Sequence, residues 1–90
     1  MTTLHDLSAH HLSDAFHRRT VSPVEVTLAV IAHVERWEPR LCATWAFDPE
    51  GALAMAHASE QRWQRGWPLS PIDGVPCTIK ENIATKGLAV

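Results

Sequence analysis

Apolar residues in the first half of the chain recur at the spacing of one face of a helix. Ser8 has the side chain of an N-cap, and Leu12, Ala15 and Phe16 after it fall on one face. Cationic side chains suit the end of a helix, so the pattern predicts a first short helix that ends near Arg18.

A second helix start follows at Ser22, where proline takes the first helical position. Glu25 stands three residues after Ser22, so each side chain can accept a hydrogen bond from the other residue's backbone amide. Four apolar residues then share one predicted face, namely Val24, Leu28, Ile31 and Val34. Because Pro39 disfavours helix at the residue before it, we expect this helix to end at residues 37–38. The two helices predict a helical hairpin over residues 8–38.

Residues 41–47 are rich in strand-favouring side chains and predict a buried strand. Asp48 and Pro49 repeat the pattern of cap and proline, and Gly66 suits the end of the helix that follows. One face of this Ala-rich helix would carry Leu53, Ala56, Ser59 and Trp63. Three prolines and an Asp-Gly pair in residues 67–76 then predict an ordered loop without regular structure.

A short buried strand over residues 77–79 would follow the loop and lead to Lys80. The fold class expected from these elements is α/β, with a helical hairpin followed by strand-helix-strand over residues 41–90, in a single domain. Residues 87–90 are apolar where a finished domain has a polar tail, and the last strand lacks neighbours. The pattern therefore predicts an incomplete part of a mixed sheet.

Composition places this chain among ordinary globular proteins. It has 90 residues, of which 46% are hydrophobic and 20% charged, and its net charge of -2 leaves no basic excess for binding nucleic acid. The longest apolar run, residues 28–32, is too short to cross a membrane. Cys42 and Cys77 leave one long-range disulfide open, but without a secretory signal a reducing cytoplasm is expected.

Lys80 is the residue with the clearest chemical potential. A lysine at the end of a buried apolar run loses solvation, which lowers its pKa and favours the neutral amine. A neutral lysine can accept a proton from a hydroxyl nucleophile. The spacing alone equally allows an exposed lysine paired with Glu81, so both interpretations stay open at this point.

Residues 69–82 contain Asp73-Gly74-Val75-Pro76, a short apolar run, and then Lys80-Glu81-Asn82, with Thr85-Lys86-Gly87 following. This stretch resembles the amidase signature hydrolases, in which Gly-Val/Ile-Pro leads into the catalytic lysine, although Glu81 stands where the family usually has Asp. The resemblance extends over nearly the whole chain. It implies a Ser/cis-Ser/Lys triad with Lys80 as the base, hydrolysis of a carboxylic amide to acid and ammonia, and no metal or organic cofactor. The family also includes amidotransferase subunits.

Both serines of the family triad belong to a Gly/Ser-rich segment beyond the lysine, and the four glycines of this chain are all isolated. We therefore carry over Lys80 alone and expect no amide hydrolysis by this chain by itself. The resemblance predicts the N-terminal part of an amidase, for which a small amide would be the substrate of the complete enzyme. A complementing chain or self-association is expected, with neither nucleic acid nor membrane as a partner.

Three other interpretations compete with this one. A helix-turn-helix would need basic side chains, but Glu25, Glu35 and Glu38 outnumber Arg36 on its second helix. A metal site would use His10, Asp14 and His17, which share a helix face, although an exposed polar face explains them equally well. A non-catalytic interaction module is the alternative from another class, and it draws on the four tryptophans Trp37, Trp45, Trp63 and Trp67.

Overall fold

The computed structural model describes residues 3–41 and 47–78. A single 3-10 turn, Leu4–Asp6, precedes three α-helices, which we number α1 (Ala9–Arg18), α2 (Pro23–Leu41) and α3 (Pro49–Gln64). An irregular segment follows α3 to the end of the described residues. In the part of the chain that the structure describes, no helix is both long enough and apolar enough to span a membrane.

Local sequence signals position α1 as expected. The Ser8 hydroxyl accepts a hydrogen bond from the His11 amide at 3.1 Å, which satisfies one of the free amides of the first turn. At the other end, Arg19 adopts a left-handed conformation with φ 61°, and the Thr20 amide reaches back to the Ala15 carbonyl at 3.1 Å. The predicted helix and its end near Arg18 are confirmed.

The predicted start of α2 is also confirmed. The Glu25 amide donates to the Ser22 hydroxyl at 3.1 Å, and the Ser22 amide donates to the Glu25 carboxylate at 3.2 Å. The expected end is wrong, since α2 continues through Pro39 to Leu41. Pro39 lies in the last turn, where a missing amide costs one hydrogen bond near a terminus rather than a break in the middle of the helix.

The face that α2 buries also differs from the prediction. Val26 is fully buried, whereas Leu28, expected in the apolar stripe, is 51% exposed. Because α2 is apolar on several sides, more than one helical stripe fits its sequence, and the packing partners select among them. The selected stripe runs through Val26 and Val30, which pack into the core.

Capping at both ends fixes α3. Asp48 accepts a hydrogen bond from the Gly51 amide at 3.0 Å, and Gly66 follows the helix with φ 76°. Around Gly66, amides 66 and 67 bond to the carbonyls of Trp63 and Arg62, which is the paired pattern of a helix stop at a left-handed residue. Three residues of the predicted face, Ala56, Ser59 and Trp63, are buried as expected.

The hydrophobic core is small and draws on all three helices. Phe16 from α1 lies against Trp63 from α3, with ring centroids 5.9 Å apart, and Val26 from α2 completes the contact. Partly buried side chains surround this cluster, namely Leu4, Leu7, Val21, Val30 and Val75. Val75 belongs to the segment after α3, so that segment is packed onto the helices.

The expected α/β class is wrong for the residues that the structure describes, because residues 3–41 and 47–78 contain helices and turns but no strand. Of the predicted strand 41–47, Leu41 ends α2 and residues 42–46 lie outside the described residues. Cys77 and Thr78 from the second strand are irregular, and residue 79 also lies outside. A strand requires a hydrogen-bonded neighbour, and strand-favouring composition alone does not supply one.

Candidate functional site

The segment after α3 leads toward Lys80, and we name residues 67–78 the pre-lysine loop. It contains turns and no regular element, as its prolines and Asp-Gly pair predicted. Lys80, with Glu81 and Asn82 of the same motif, lies outside the described residues. The loop therefore shows how the approach to Lys80 is held, and the site is built from the contacts of the loop.

Asp73 is the principal anchor of this loop. Arg62 on α3 donates to both carboxylate oxygens of Asp73, with Nε and one terminal nitrogen each at 2.7 Å. The Leu69 amide donates to the same carboxylate at 2.9 Å, and the Trp63 indole donates to the Asp73 carbonyl at 2.8 Å. Hydrogen bonds from a guanidinium to both oxygens of a carboxylate are strong and fix orientation. Asp73 is therefore held by its side chain and its backbone.

The electrostatics agree with a carboxylate that stays charged. Hydrogen bonding from Arg62 holds the pKa of Asp73 well below its usual range, against the opposing effect of burial, and the Leu69 amide adds to the lowering. In the other direction, the hydrogen bond to Asp73 raises the pKa of Arg62. The nearby Ser59 hydroxyl further lowers the Asp73 pKa, although Ser59 Oγ is buried and makes no hydrogen bond of normal geometry with a described residue.

Gly74 brings the loop closest to the helices. Its φ of 91° is unfavourable for any residue with a side chain, and a Cβ there would lie 2.5 Å from Ser59 Oγ. The same Cβ would lie 2.8 Å from the ring of Pro23 at the start of α2. Only glycine lets the loop pass between α2 and α3 at this distance.

Further contacts hold the parts of the loop on either side of Asp73. The Ser13 hydroxyl on α1 donates to the Pro71 carbonyl, and the Val75 amide closes a turn onto the Ile72 carbonyl at 3.0 Å. After this turn, residues 75–78 form one wall of an apolar groove of about 410 Å³, which Val26 and Val30 also line. The loop thus contacts all three helices before it reaches residue 79.

These contacts belong to a chain whose sequence can now be compared with known proteins. The amidase family model matches residues 25–90, a span that includes α2, α3, the pre-lysine loop and Lys80. The chain belongs to the amidase family. The resemblance seen in residues 69–82 is thereby confirmed.

The relatives of this amidase-family chain are each named as one subunit of glutamyl-tRNA(Gln) amidotransferase. The relative from Chloroflexus aggregans is 40% identical over 88 residues, which cover 98% of this chain and 18% of the relative. Those from Geobacter metallireducens and Moorella thermoacetica are each 38% identical over 85 residues. The chain therefore spans less than a fifth of the length of these relatives. No solved structure matches it significantly.

The alternative metal site does not form within residues 3–41 and 47–78, where no group of three His, Cys, Asp or Glu side chains could hold an ion. Asp14 instead pairs with Arg18 at 3.2 Å, and His17 lies edge-on to Trp63, with ring centroids 6.3 Å apart. His10, Asp14 and His17 do line one cleft of about 470 Å³ beside the loop, together with Ser13 and Pro71.

The remaining predictions divide between described and undescribed residues. Among the tryptophans, Trp63 is in the core, Trp37 and Trp67 are exposed, and Trp45 lies outside the described residues. Cys77 is exposed with a free thiol, while Cys42, the other half of the disulfide left open, lies outside.

The sequence analysis missed the pair of Arg62 and Asp73 altogether. It treated Asp73 only as half of an Asp-Gly turn signal. The available clue was a single carboxylate in an otherwise proline-rich and apolar loop, which needs a cationic partner when it is buried. That partner lies eleven residues earlier, near the end of α3.

Proposed function

We propose that this chain is the lysine-bearing N-terminal segment of an amidase, and that Lys80 is the base of a Ser/cis-Ser/Lys triad. The match of the amidase family to residues 25–90 carries this proposal, because the matched span includes Lys80 in its motif. The pre-lysine loop supports it, since its contacts with the three helices give the approach to Lys80 a defined path. Residues 1–90 form one unit in this proposal, without a second domain.

The chemistry follows from a neutral lysine. Lys80 takes a proton from the bridging serine, which in turn takes one from the nucleophilic serine as that oxygen bonds to the amide carbonyl carbon. The carbon–nitrogen bond then breaks, ammonia leaves with the returned proton, and water releases the acid from the acyl-enzyme. Both serines and the amides that hold the oxyanion come from a Gly/Ser-rich segment that these 90 residues lack. The chain by itself is therefore inactive in this proposal.

The relatives favour one particular form of this chemistry. Their name describes an amidotransferase, in which ammonia released from one amide would be passed to a second acceptor rather than to solvent. The same Lys80 base serves hydrolase and amidotransferase alike. Their name also includes the word subunit, which favours a complementing chain as partner. The exposed free thiol of Cys77 fits a reducing compartment such as the cytoplasm.

A chimaera tests the role of Lys80. Residues 1–90 would replace the matching residues of the Chloroflexus aggregans relative, and ammonia release from a carboxylic amide would be measured beside the isolated chain. We expect no release from the isolated chain and release from the chimaera, with K80A lowering the rate at least about a hundredfold, as expected for loss of a catalytic base.

K86A is the matched control, because Lys80 and Lys86 are the two lysines of this chain. It should leave the rate of the chimaera within twofold of the unaltered version. A K80A chimaera as fast as the K86A one would remove Lys80 from the mechanism. Amide turnover by the purified isolated chain that disappears in K80A would show that the chain is not inactive alone.

The second candidate is a non-catalytic interaction module that associates with itself or with another chain. The exposed loop side chains Trp67 and Leu69, at 79% and 78% exposure, favour it because large apolar groups in water mark interfaces. Light scattering and calorimetry on the isolated chain test this candidate. A monodisperse monomer with a cooperative thermal transition would contradict it.

A further inference from the structure

Arg62 and Asp73 hold the last helix and the pre-lysine loop together, immediately upstream of the proposed base. We infer that Arg62 and Asp73 are positioning residues for Lys80, fixing the direction in which the chain leaves α3. This inference rests on the proposed function, in which Lys80 accepts the proton. Neither residue is proposed to touch the substrate.

The first step of the argument is that Asp73 cannot shift without breaking several contacts. Two hydrogen bonds from Arg62 fix its carboxylate, a third comes from the Leu69 amide, and the Trp63 indole fixes its carbonyl. Arg62 and Trp63 are neighbours on α3, so side chain and backbone of Asp73 are tied to one rigid element. A residue held at both ends sets the orientation of the peptide that follows.

The second step is that the path after Asp73 has little freedom. Gly74 is wedged between Ser59 and Pro23, and the Val75 amide closes a turn onto the Ile72 carbonyl. Val75 then packs onto the core. Lys80 follows Val75 by only five positions, and Pro76 restricts the first of them.

The third step concerns the cost of the pair. The Asp73 side chain is only 4% exposed and that of Arg62 is 32% exposed, so a charged pair is held where apolar side chains could pack equally well. Buried ion pairs contribute little net stability, but their directional hydrogen bonds specify one arrangement. The exposed pair of Asp14 and Arg18 on α1 has no such role in the loop.

The two lysines of the chain provide a direct test. The isolated chain would be trace-labelled with acetic anhydride across pH 6–11, and mass spectrometry would give the labelling of Lys80 and Lys86 separately, with Lys86 as internal reference. The proposed base role predicts a Lys80 midpoint about one pH unit or more below that of Lys86. The comparison includes R62Q, D73N, the charge-conserving R62K, and R65Q as control, since Arg65 is an exposed arginine at the end of the same helix.

We expect the Lys80 midpoint to move to that of Lys86 in R62Q and D73N, to recover in part in R62K, and to stay unchanged in R65Q. Helical circular dichroism identifies any variant that has lost its fold. In that case R62K decides, because it keeps the charge and one donor. An unchanged Lys80 midpoint in folded R62Q and D73N, or in R62K should those two unfold, would overturn the inference.

Failure of the proposed function gives a different result. If Lys80 and Lys86 share one midpoint in the unaltered chain, the base role fails, and positioning is then judged by hydrogen exchange at the Val75 amide. Faster exchange at Val75 in R62Q and D73N, but not in R65Q, would keep the positioning role of the pair. Unchanged exchange would remove it.

Discussion

Replacing Asp73 with Asn tests how much the ion pair contributes to holding the pre-lysine loop on α3. The change keeps the size of the side chain but removes the charge that Arg62 and the Leu69 amide bind. Breaking a fully buried pair costs about 3–5 kcal/mol, and an exposed pair contributes up to about 1 kcal/mol. Since Asp73 is buried and Arg62 is partly exposed, we expect D73N to lower the free energy of unfolding by about 2 kcal/mol at pH 7.

The dependence of this loss on pH follows from the lowered pKa of Asp73 in the folded chain. A carboxylate of this kind stabilises fully above its unfolded-state pKa of about 4, and its contribution disappears as the pH falls through the folded-state pKa. At pH 3, the unfolded chain already binds the proton while the folded chain does not. The difference between the unaltered chain and D73N should therefore narrow by about 1 kcal/mol.

Urea denaturation followed by circular dichroism at 222 nm, at pH 7 and pH 3, measures both quantities. D14N is the matched control, because it removes the carboxylate of an exposed pair on α1 and should cost less than about 0.5 kcal/mol at either pH. The reasoning is refuted if D73N costs no more than D14N at pH 7. It is equally refuted if the cost of D73N is the same at pH 3.

Two further substitutions test the local geometry. G74A should lower the free energy of unfolding by more than about 2 kcal/mol, because its Cβ meets Ser59 and Pro23 in addition to the strain of a positive φ. G66A has the strain but open space around its Cβ, so about 1 kcal/mol is expected in the same urea titration, and equal costs would disprove the close approach at Gly74. S22A removes the cap of α2 and should cost about 1 kcal/mol, whereas an unchanged urea midpoint would show that the cap adds no stability.

The parts of the fold predicted correctly are those determined by neighbouring residues. Caps at Ser8, Ser22 and Asp48 act over three positions, and each helix begins where its cap predicted. The helix stop at Gly66 is similarly local. Such signals are complete within a few residues, so no knowledge of the rest of the molecule is needed.

The incorrect predictions concern choices made by distant residues. Leu28 and Val26 are equally apolar, and packing against the other elements rather than α2 itself decides that Val26 is buried. The strand predicted at residues 77–79 depended on partners that the sequence pattern does not specify. Pro39 was taken as a helix stop, although its position in the last turn makes continuation to Leu41 inexpensive.

For the candidate site, the sequence identified the motif but not its support. The match of the family to residues 25–90 confirms the resemblance that was drawn from residues 69–82, and the role of Lys80 stays a prediction. The pairing of Arg62 with Asp73 requires the chain to reverse after Gly66 and return to α3. No local pattern indicates which cation meets a carboxylate across such a turn.

The contact between Phe16 and Trp63 crosses the start of the family match at residue 25. Phe16 is 1% exposed and rests against the indole that also bonds to the Asp73 carbonyl. A change in ring size at either position alters the space available at the other. Among homologous sequences, positions 16 and 63 should therefore vary together, so that the segment before residue 25 shares one evolutionary history with the loop.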